Sequence, residues 1–520
     1  MPLFHKKDRR YRVLYDVHAW LGAVLGLVLY LMFITGITAL VWSPLETWED
    51  PGQHHALSTT VDDWWVSLQD EIGDADTTFV SLSLPSEESA SRVPVARVMV
   101  EGEPRREVIW DGTQWRARRG YVARFLFRVH FLYHEAIPIL YTVSGLVALA
   151  LFIALMTGIA VHLRKIIPEF HQFRPHLPRR AMWADLHKVT GVAGLPFALV
   201  IAYTGAVIVL NGLAIASVGL PLYGGDLDRA KAAAFGDDPP TIEAEEEPGP
   251  QAPARAWVEA AETALPGLDV HALRTAKPGL ATTVVEVSGE MDDAPGRVRV
   301  YVSGETAEVL QVRGLEAESA PLAAQRWLFG LHFAQFGGWG LKLVYAVLAL
   351  FTGATILTGN ALWIERRRKQ RKGRAHGVLA RLTVGVGAGL PLAMGLMLLM
   401  SRLLPWNLDA RTALLDATFV LTLAGACGYA SWSASHRTCW VRMLFAAAAT
   451  FAAVPLAQAT CTDVGLFAGG LTGGHFGMFA AIDLGMLVVA ALLALAAWIV
   501  RRGPHRTPRP STPARGGAPS

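Results

Sequence analysis

Eight stretches of this chain are long and apolar enough to cross a lipid bilayer, and that fact alone excludes most folds. They run over residues 19–42, 138–162, 187–212, 340–363, 378–400, 412–432, 440–458 and 476–500. About 20 helical residues, rising roughly 1.5 Å each, cover a hydrocarbon core of about 30 Å. Inside that core every backbone group must be satisfied within the segment, so each stretch reads as a helix. Only 18% of the residues are charged, against about 25% in ordinary soluble domains, and the deficit is concentrated in these runs. The seventh stretch is short and holds Pro455. The first run, which follows HKKDRRYR, exceeds a signal-peptide core of about 7–15 residues, and VWSPLE offers no small-residue cleavage site. It reads as a retained span.

Basic residues set the expected orientation. They precede the first span (Lys6, Lys7, Arg9, Arg10, Arg12), separate the second from the third (Arg164, Lys165, Arg174, Arg179, Arg180), follow the fourth (Arg366 to Arg374) and follow the eighth (Arg501, Arg502). With eight spans all of them fall on one side, so both termini are expected in the cytoplasm of a bacterial inner-membrane protein. Residues 43–125 and 213–326 then face the periplasm. The second of these holds an acidic, proline-rich stretch (243–254), which reads as a flexible linker. ARAWVEAAETAL has helical periodicity, and TTVVEVSGE and RVRVYVSGETAEVLQV alternate as two strands. The first outer segment carries similar strand signals in TTFVSLSL, ARVMVEG and REVIWDG. The expected fold is therefore an all-α membrane helix bundle with small α+β periplasmic modules. Its parts are an N-terminus with the first span (1–42), a first module (43–125), a second span (126–165), a loop (166–186) and a third span (187–212). A second module (213–326), a fourth span (327–365), a basic loop (366–377), an accessory bundle of four spans (378–500) and a disordered tail (501–520) complete it.

The first four spans contain a repeat. His18 and His187 each open the pattern H-x3-G-x12-T-G, which passes through Gly22 to Gly36 in one copy and through Gly191 to Gly205 in the other. FLFRVHF, ending beyond His130, aligns with WLFGLHF, which contains His332, and each is followed by a Thr-Gly pair ending at Gly158 or Gly359. Residues 1–165 and 183–365 thus read as two copies of a span–module–span unit. His18 and His187 lie near the cytoplasmic face and His130 and His332 near the outer one, giving two imidazole couples at two depths.

Histidines in spans usually face the bundle interior and mark function. Two imidazoles from facing helices can clamp one haem iron, and Gly22, Gly36, Gly158, Gly191, Gly205 and Gly359 would leave room for a flat macrocycle. A zinc or copper site would call for neighbouring carboxylates or cysteines, but only Asp16, Glu135 and Asp185 lie nearby. Cys427, Cys439 and Cys461 form no CxxC. His134 and His162 are alternative ligands. His171, His176, His376 and His436, with the outer His54, His55, His271 and His475, read as solvated.

The run HFLYHEAIPILYTVSGLVALALFIALMTGIAVHLRKI, with FHQFRP, WADLHKVTGVAGLPFALVIAYTG and LHFAQFGGWGLK, resembles the PepSY-associated transmembrane family, over about residues 1–368. The segment ending VYVSGETAEVL is similar to the last hairpin of a PepSY module. The family includes iron-regulated inner-membrane proteins and siderophore-iron reductases. The resemblance implies b-type haem, one or two groups, held by His18, His130, His187 and His332 with His162 matching a further family histidine. It also implies reduction of ferric chelates such as ferric siderophores at the periplasmic face. No GxGxxG follows a strand and opens a helix, so the electron donor is expected to be a quinol or a cytoplasmic reductase. Two readings of other classes stand beside it: a non-redox sensor or protease-regulating protein, and a metal or siderophore transporter. Nothing suggests nucleic acid as a partner, and the accessory bundle carries none of the repeat histidines.

Overall fold

The computed structural model describes residues 8–50, 59–73, 77–85, 93–103, 105–134, 136–162, 173–174, 178–235, 239–243, 245, 247–291, 298–314, 320–367, 375–462, 464–466 and 474–502. Eight of its helices are long and apolar enough to cross a membrane, one for each expected span.

The first, α1, covers Arg9–Ala39, and a short buried helix, α2 (Trp42–Glu49), follows it. Helix α3 (Val61–Ile72) opens the first extramembrane half, its start closed by a reciprocal capping box between Thr60 and Asp63. Strands β1 (Thr77–Ser83), β2 (Val95–Val100), β3 (Arg106–Trp110) and β4 (Trp115–Ala117) complete that half. A nine-residue helix, α4 (Val122–His130), precedes the second span, α5 (Ile139–His162). The third span is α6 (Arg179–Val209), followed by α7 (Asn211–Leu222) and α8 (Leu227–Phe235). The second half then repeats the first: α9 (Ala254–Ala264), β5 (Asp269–Ala276), β6 (Val284–Glu290), β7 (Val298–Ser303) and β8 (Val309–Arg313). Helix α10 (Ala320–Phe333) precedes the fourth span, α11 (Gly338–Arg367). The remaining spans are α12 (Ala375–Leu403), α13 (Arg411–Trp432), α14 (His436–Cys461) and α15 (Gly474–Arg502). Pro455 lies inside the continuous helix α14.

The two outer segments do not fold separately. They form one antiparallel sheet of order β4-β3-β2-β1-β5-β6-β7-β8. The seam is β1 against β5, with Leu82 opposite Leu273, both fully buried. Across it, Trp65 of α3 meets Trp257 of α9 edge-on at 5.2 Å, and the Arg255 amide donates to Asp62 at 2.7 Å. The two halves share one core. β5 answers to no sequence expectation, and RVRVYVSGETAEVLQV is a hairpin, β7 and β8, rather than one strand.

The acidic linker also departs from expectation where it is described. The Gly249 amide donates to Gly279 O at 3.0 Å, Ala281 N to Glu247 O at 2.9 Å, and Ala252 N to Gly304 O at 2.8 Å. Backbone pairing with the sheet thus orders a stretch whose composition argues for a flexible chain. Of the expected tail, Arg501 and Arg502 end helix α15, and the rest lies outside the described residues, as do Lys6, Lys7, Arg164, Lys165 and the basic run from 368 to 374.

Candidate functional site

The four repeat histidines meet in two pairs. His18, near the start of α1, and His187, near the start of α6, have ring centroids 6.1 Å apart with planes at 62°. His130, the last residue of α4, and His332, near the end of α10, stand 6.4 Å apart at 43°. Expectation put the second pair on the spans themselves. Instead the chain breaks after each, taking a left-handed turn two residues on, at Leu132 (φ 56°) and Ala334 (φ 52°). Non-glycine residues avoid that region, and its appearance at matching places in both copies marks a built feature.

Every ring is anchored through Nδ1. Nδ1–H of His18 donates to Ala154 O at 2.8 Å, that of His130 to Met32 O at 2.7 Å and that of His187 to Thr355 O at 2.9 Å. A carbonyl can only accept, so in these three Nδ1 carries the proton. His332 Nδ1 lies 2.9 Å from Thr204 Oγ1. The Thr204 hydroxyl already donates to Val200 O at 2.7 Å, so its oxygen accepts here as well. A neutral imidazole protonated on Nδ1 offers Nε2 as a lone pair, the form in which histidine binds metal, with its second partner fixing ring orientation.

The Thr-Gly pairs build these seats. In each, the threonine hydroxyl donates to the carbonyl four residues back: Thr35 to Leu31 O, Thr157 to Ile153 O, Thr204 to Val200 O and Thr358 to Ala354 O. The next carbonyl along is the one that receives the imidazole in three seats, and Thr204 itself does so in the fourth. The glycine then makes room. A Cβ on Gly36 would lie 2.9 Å from His130 Cε1, on Gly158 3.0 Å from His18, on Gly205 3.2 Å from His332 and on Gly359 3.0 Å from His187. Within each copy the seating is crossed: the first span's histidine rests on the second span's glycine, and the histidine of the short helix before the second span rests on the first span's glycine. Four of the six glycines seat imidazoles. Gly22, with no atom within 4 Å of its Cβ position, Gly158, Gly191 and Gly359 also line the cavity around the first pair, and Gly205 that around the second.

That cavity measures about 950 Å³, between α1, α5, α6 and α11, near the upper end of the roughly 300–1,000 Å³ typical of small-molecule sites. Lys188, Arg366 and Arg367 line it. Arg367 lies 3.9 Å over the Trp363 ring, and the buried Arg366 Nε has no hydrogen-bond partner. Its walls are mostly apolar, so the cavity suits an amphipathic ligand with anionic groups. The second pair lines a smaller space of about 250 Å³, walled by Phe127, Phe131, Tyr141 and Phe333.

Metal–imidazole bonds of about 2.0 Å, with ring nitrogens roughly 1.1 Å from their centroids, put two rings clamping one metal at a centroid separation of about 6.2 Å. Both pairs stand within a few tenths of an ångström of that. Among the described residues no group of three or more His, Cys, Asp or Glu could hold a metal.

His162, the last residue of α5, lines the larger cavity beside the first pair. His134 lies exposed in the loop after α4, its Nδ1 accepting from the Ala136 amide at 3.2 Å, and it lines neither cavity. His271 bonds Asp269 at 2.9 Å. His54, His55, His171 and His176 lie outside the described residues. The seats at Met32, Ala154, Thr355 and Thr204 answer to no sequence expectation; the threonine before each of Gly36, Gly158, Gly205 and Gly359, which no macrocycle requires, was the available signal.

Residues 15–366 match the family model described as the PepSY-associated TM region. An uncharacterized protein of Pseudomonas aeruginosa is 28% identical over 284 residues, covering 51% of this chain and 69% of that protein. The family match takes in all four histidines and all four seats and stops before α12.

Proposed function

The chain belongs to the family of the PepSY-associated TM region, and from that premise we propose that it is a ferric reductase of the bacterial inner membrane, whose imidazole pairs hold two haem b groups. The two bis-imidazole pairs, spaced for a shared metal and anchored through Nδ1, carry the reading. Each haem, when bound, supplies a one-electron couple. The substrate is a ferric chelate, such as a ferric siderophore, on the periplasmic side, and the donor is a quinol or a cytoplasmic reductase.

The chain's own residues do the rest. His18 with His187, and His130 with His332, would hold the iron of each group between them. Their Nδ1 bonds fix the tautomer, raise ligand basicity and hold the rings against rotation. Lys188, Arg366 and Arg367, which line the larger cavity, would meet anionic groups of the cofactor. The apolar walls exclude water, which would tune the potential of a bound group. The positive-inside rule puts this mouth in the cytoplasm and the sheet in the periplasm. His18 lies 14 to 18 residues before the Met32–Gly36 stretch that seats His130, roughly 21–27 Å of helix, so the pairs stand near opposite faces. The smaller outer cavity admits a macrocycle only if Phe127, Phe131, Tyr141 and Phe333 move apart. The outer group is therefore the more easily lost.

The test is a reduced-minus-oxidised spectrum with a haem-to-protein ratio on the purified full chain. Replacing His18 or His187 should remove one haem, and replacing His130 or His332 the other. A folded, colourless protein from haem-replete cells would refute the proposal.

A further inference from the structure

The four C-terminal spans converge on the start of α4. Helix α4 has no side-chain cap of its own at Tyr121. Its first amides are taken by Glu49, the last residue of α2: the carboxylate accepts from Tyr121 N at 3.3 Å, Val122 N at 2.9 Å and Ala123 N at 2.9 Å. An anion at a helix N-terminus satisfies orphan donors and complements the helix dipole. Glu49 is also fully buried, and a buried carboxylate needs a counter-charge.

A buried cation on α12 lies beside Glu49 and bonds its backbone carbonyl rather than the carboxylate. Arg402, itself buried, donates to Glu49 O at 3.0 Å and to Gln458 Oε1 of α14 at 3.1 Å. Its guanidinium lies 4.6 Å over the Trp48 ring. Trp48 Nε1 donates to Asp483 Oδ1 of α15 at 2.9 Å, and the Tyr121 hydroxyl donates to Asp416 Oδ1 of α13 at 2.7 Å. Each of the four C-terminal helices thus contributes a polar side chain to this cluster around α2 and the start of α4.

We propose that the C-terminal bundle is a positioning device for the outer imidazole pair, acting through Arg402 and Glu49 to fix the height and rotation of α4 and so of His130. Helix α4 is a lever of nine residues, about 13 Å long, held at one end by Glu49 and carrying the imidazole at the other. Arg402 and Glu49 are positioning residues. Removing Arg402 takes a buried positive charge from beside Glu49 and the hydrogen bond that holds its backbone carbonyl, which loosens the cap that its carboxylate makes. The spectroscopic part rests on the haem proposal; the placement of α4 does not.

The experiment compares Arg402→Met, Arg402→Lys and Glu49→Gln with wild type, as full-length protein in nanodiscs, by hydrogen–deuterium exchange and by the electron paramagnetic resonance of the oxidised haems. In Arg402→Met and Glu49→Gln the peptide covering 121–130 should exchange about tenfold faster, the scale of a lost cap, while peptides from α9 and α6 stay as in wild type. The signal of the outer haem should shift with the inner unchanged, and Arg402→Lys, which keeps the charge, should restore much of both. Unchanged exchange over 121–130, or equal acceleration in all peptides, would overturn the proposal. Should Arg402→Met not fold, the other two variants decide it. A wild-type protein without haem would defeat the functional reading and leave the exchange test standing.

Discussion

At the residue scale the informative groups are the glycines and threonines that serve the imidazoles. Gly36→Ala places a methyl group 2.9 Å from His130 Cε1, closer than carbon atoms pack, so the ring must leave its hydrogen bond to Met32 O. It should therefore abolish the outer haem and spare the inner, read as half the haem content of the wild type. The threonines are not equivalent. Thr204→Val strips His332 of its direct acceptor and should weaken haem binding at the outer pair about 10–100-fold, the usual cost of losing such a partner. Thr35→Val leaves Met32 O in place and should cost clearly less, which titration of apoprotein with haem would resolve. The four histidines and the six glycines were legible as a repeat, because identical spacing survives in one dimension. Which glycine seats which ring was not, because the two lie on different helices and meet only through packing.

At the scale of elements, α4 is the junction on which the halves of the molecule depend. Glu49 caps its start, and Arg124 on it binds both Glu46 of α2 and Glu107 of β3, which Arg97 and Arg118 also pair. Burial pushes the Glu107 carboxyl up, but Arg118, Arg124 and Arg97 outweigh it and hold the group below its ordinary range. A carboxylate with a depressed folded-state pKa stabilises the fold above its unfolded pKa, about 4.3 for Glu, and loses that contribution as pH falls through the folded value. The thermal midpoint should thus hold between about pH 7 and 5 and fall below about pH 4. Glu107→Gln should be less stable at neutral pH and should flatten the acid limb. The spans themselves were readable from hydropathy. The short helices carrying His130 and His332 were less so: Pro138 and Gly337-Gly338 precede the spans that follow, but the left-handed turns themselves fall at Leu132 and Ala334, where no glycine stands.

At the scale of the whole molecule, the sheet makes one body of two sequence copies. Leu273→Asp puts a charge at the fully buried seam opposite Leu82 and should destabilise both halves together by several kcal/mol. Limited proteolysis would then cut in residues 77–117 and 269–313 alike, and cleavage confined to the second half would refute the shared core. Hydropathy, charge bias and repeat spacing are properties of the chain as written, so the sequence by itself determined that this is a multi-pass membrane protein built on a duplicated unit with four paired histidines. Tertiary structure alone decided that the copies share a sheet, that each imidazole rests on its partner helix, and that the C-terminal spans meet the cap of α4. These depend on contacts between residues far apart in the chain, whose free energy exists only once the intervening segments have folded and brought them together.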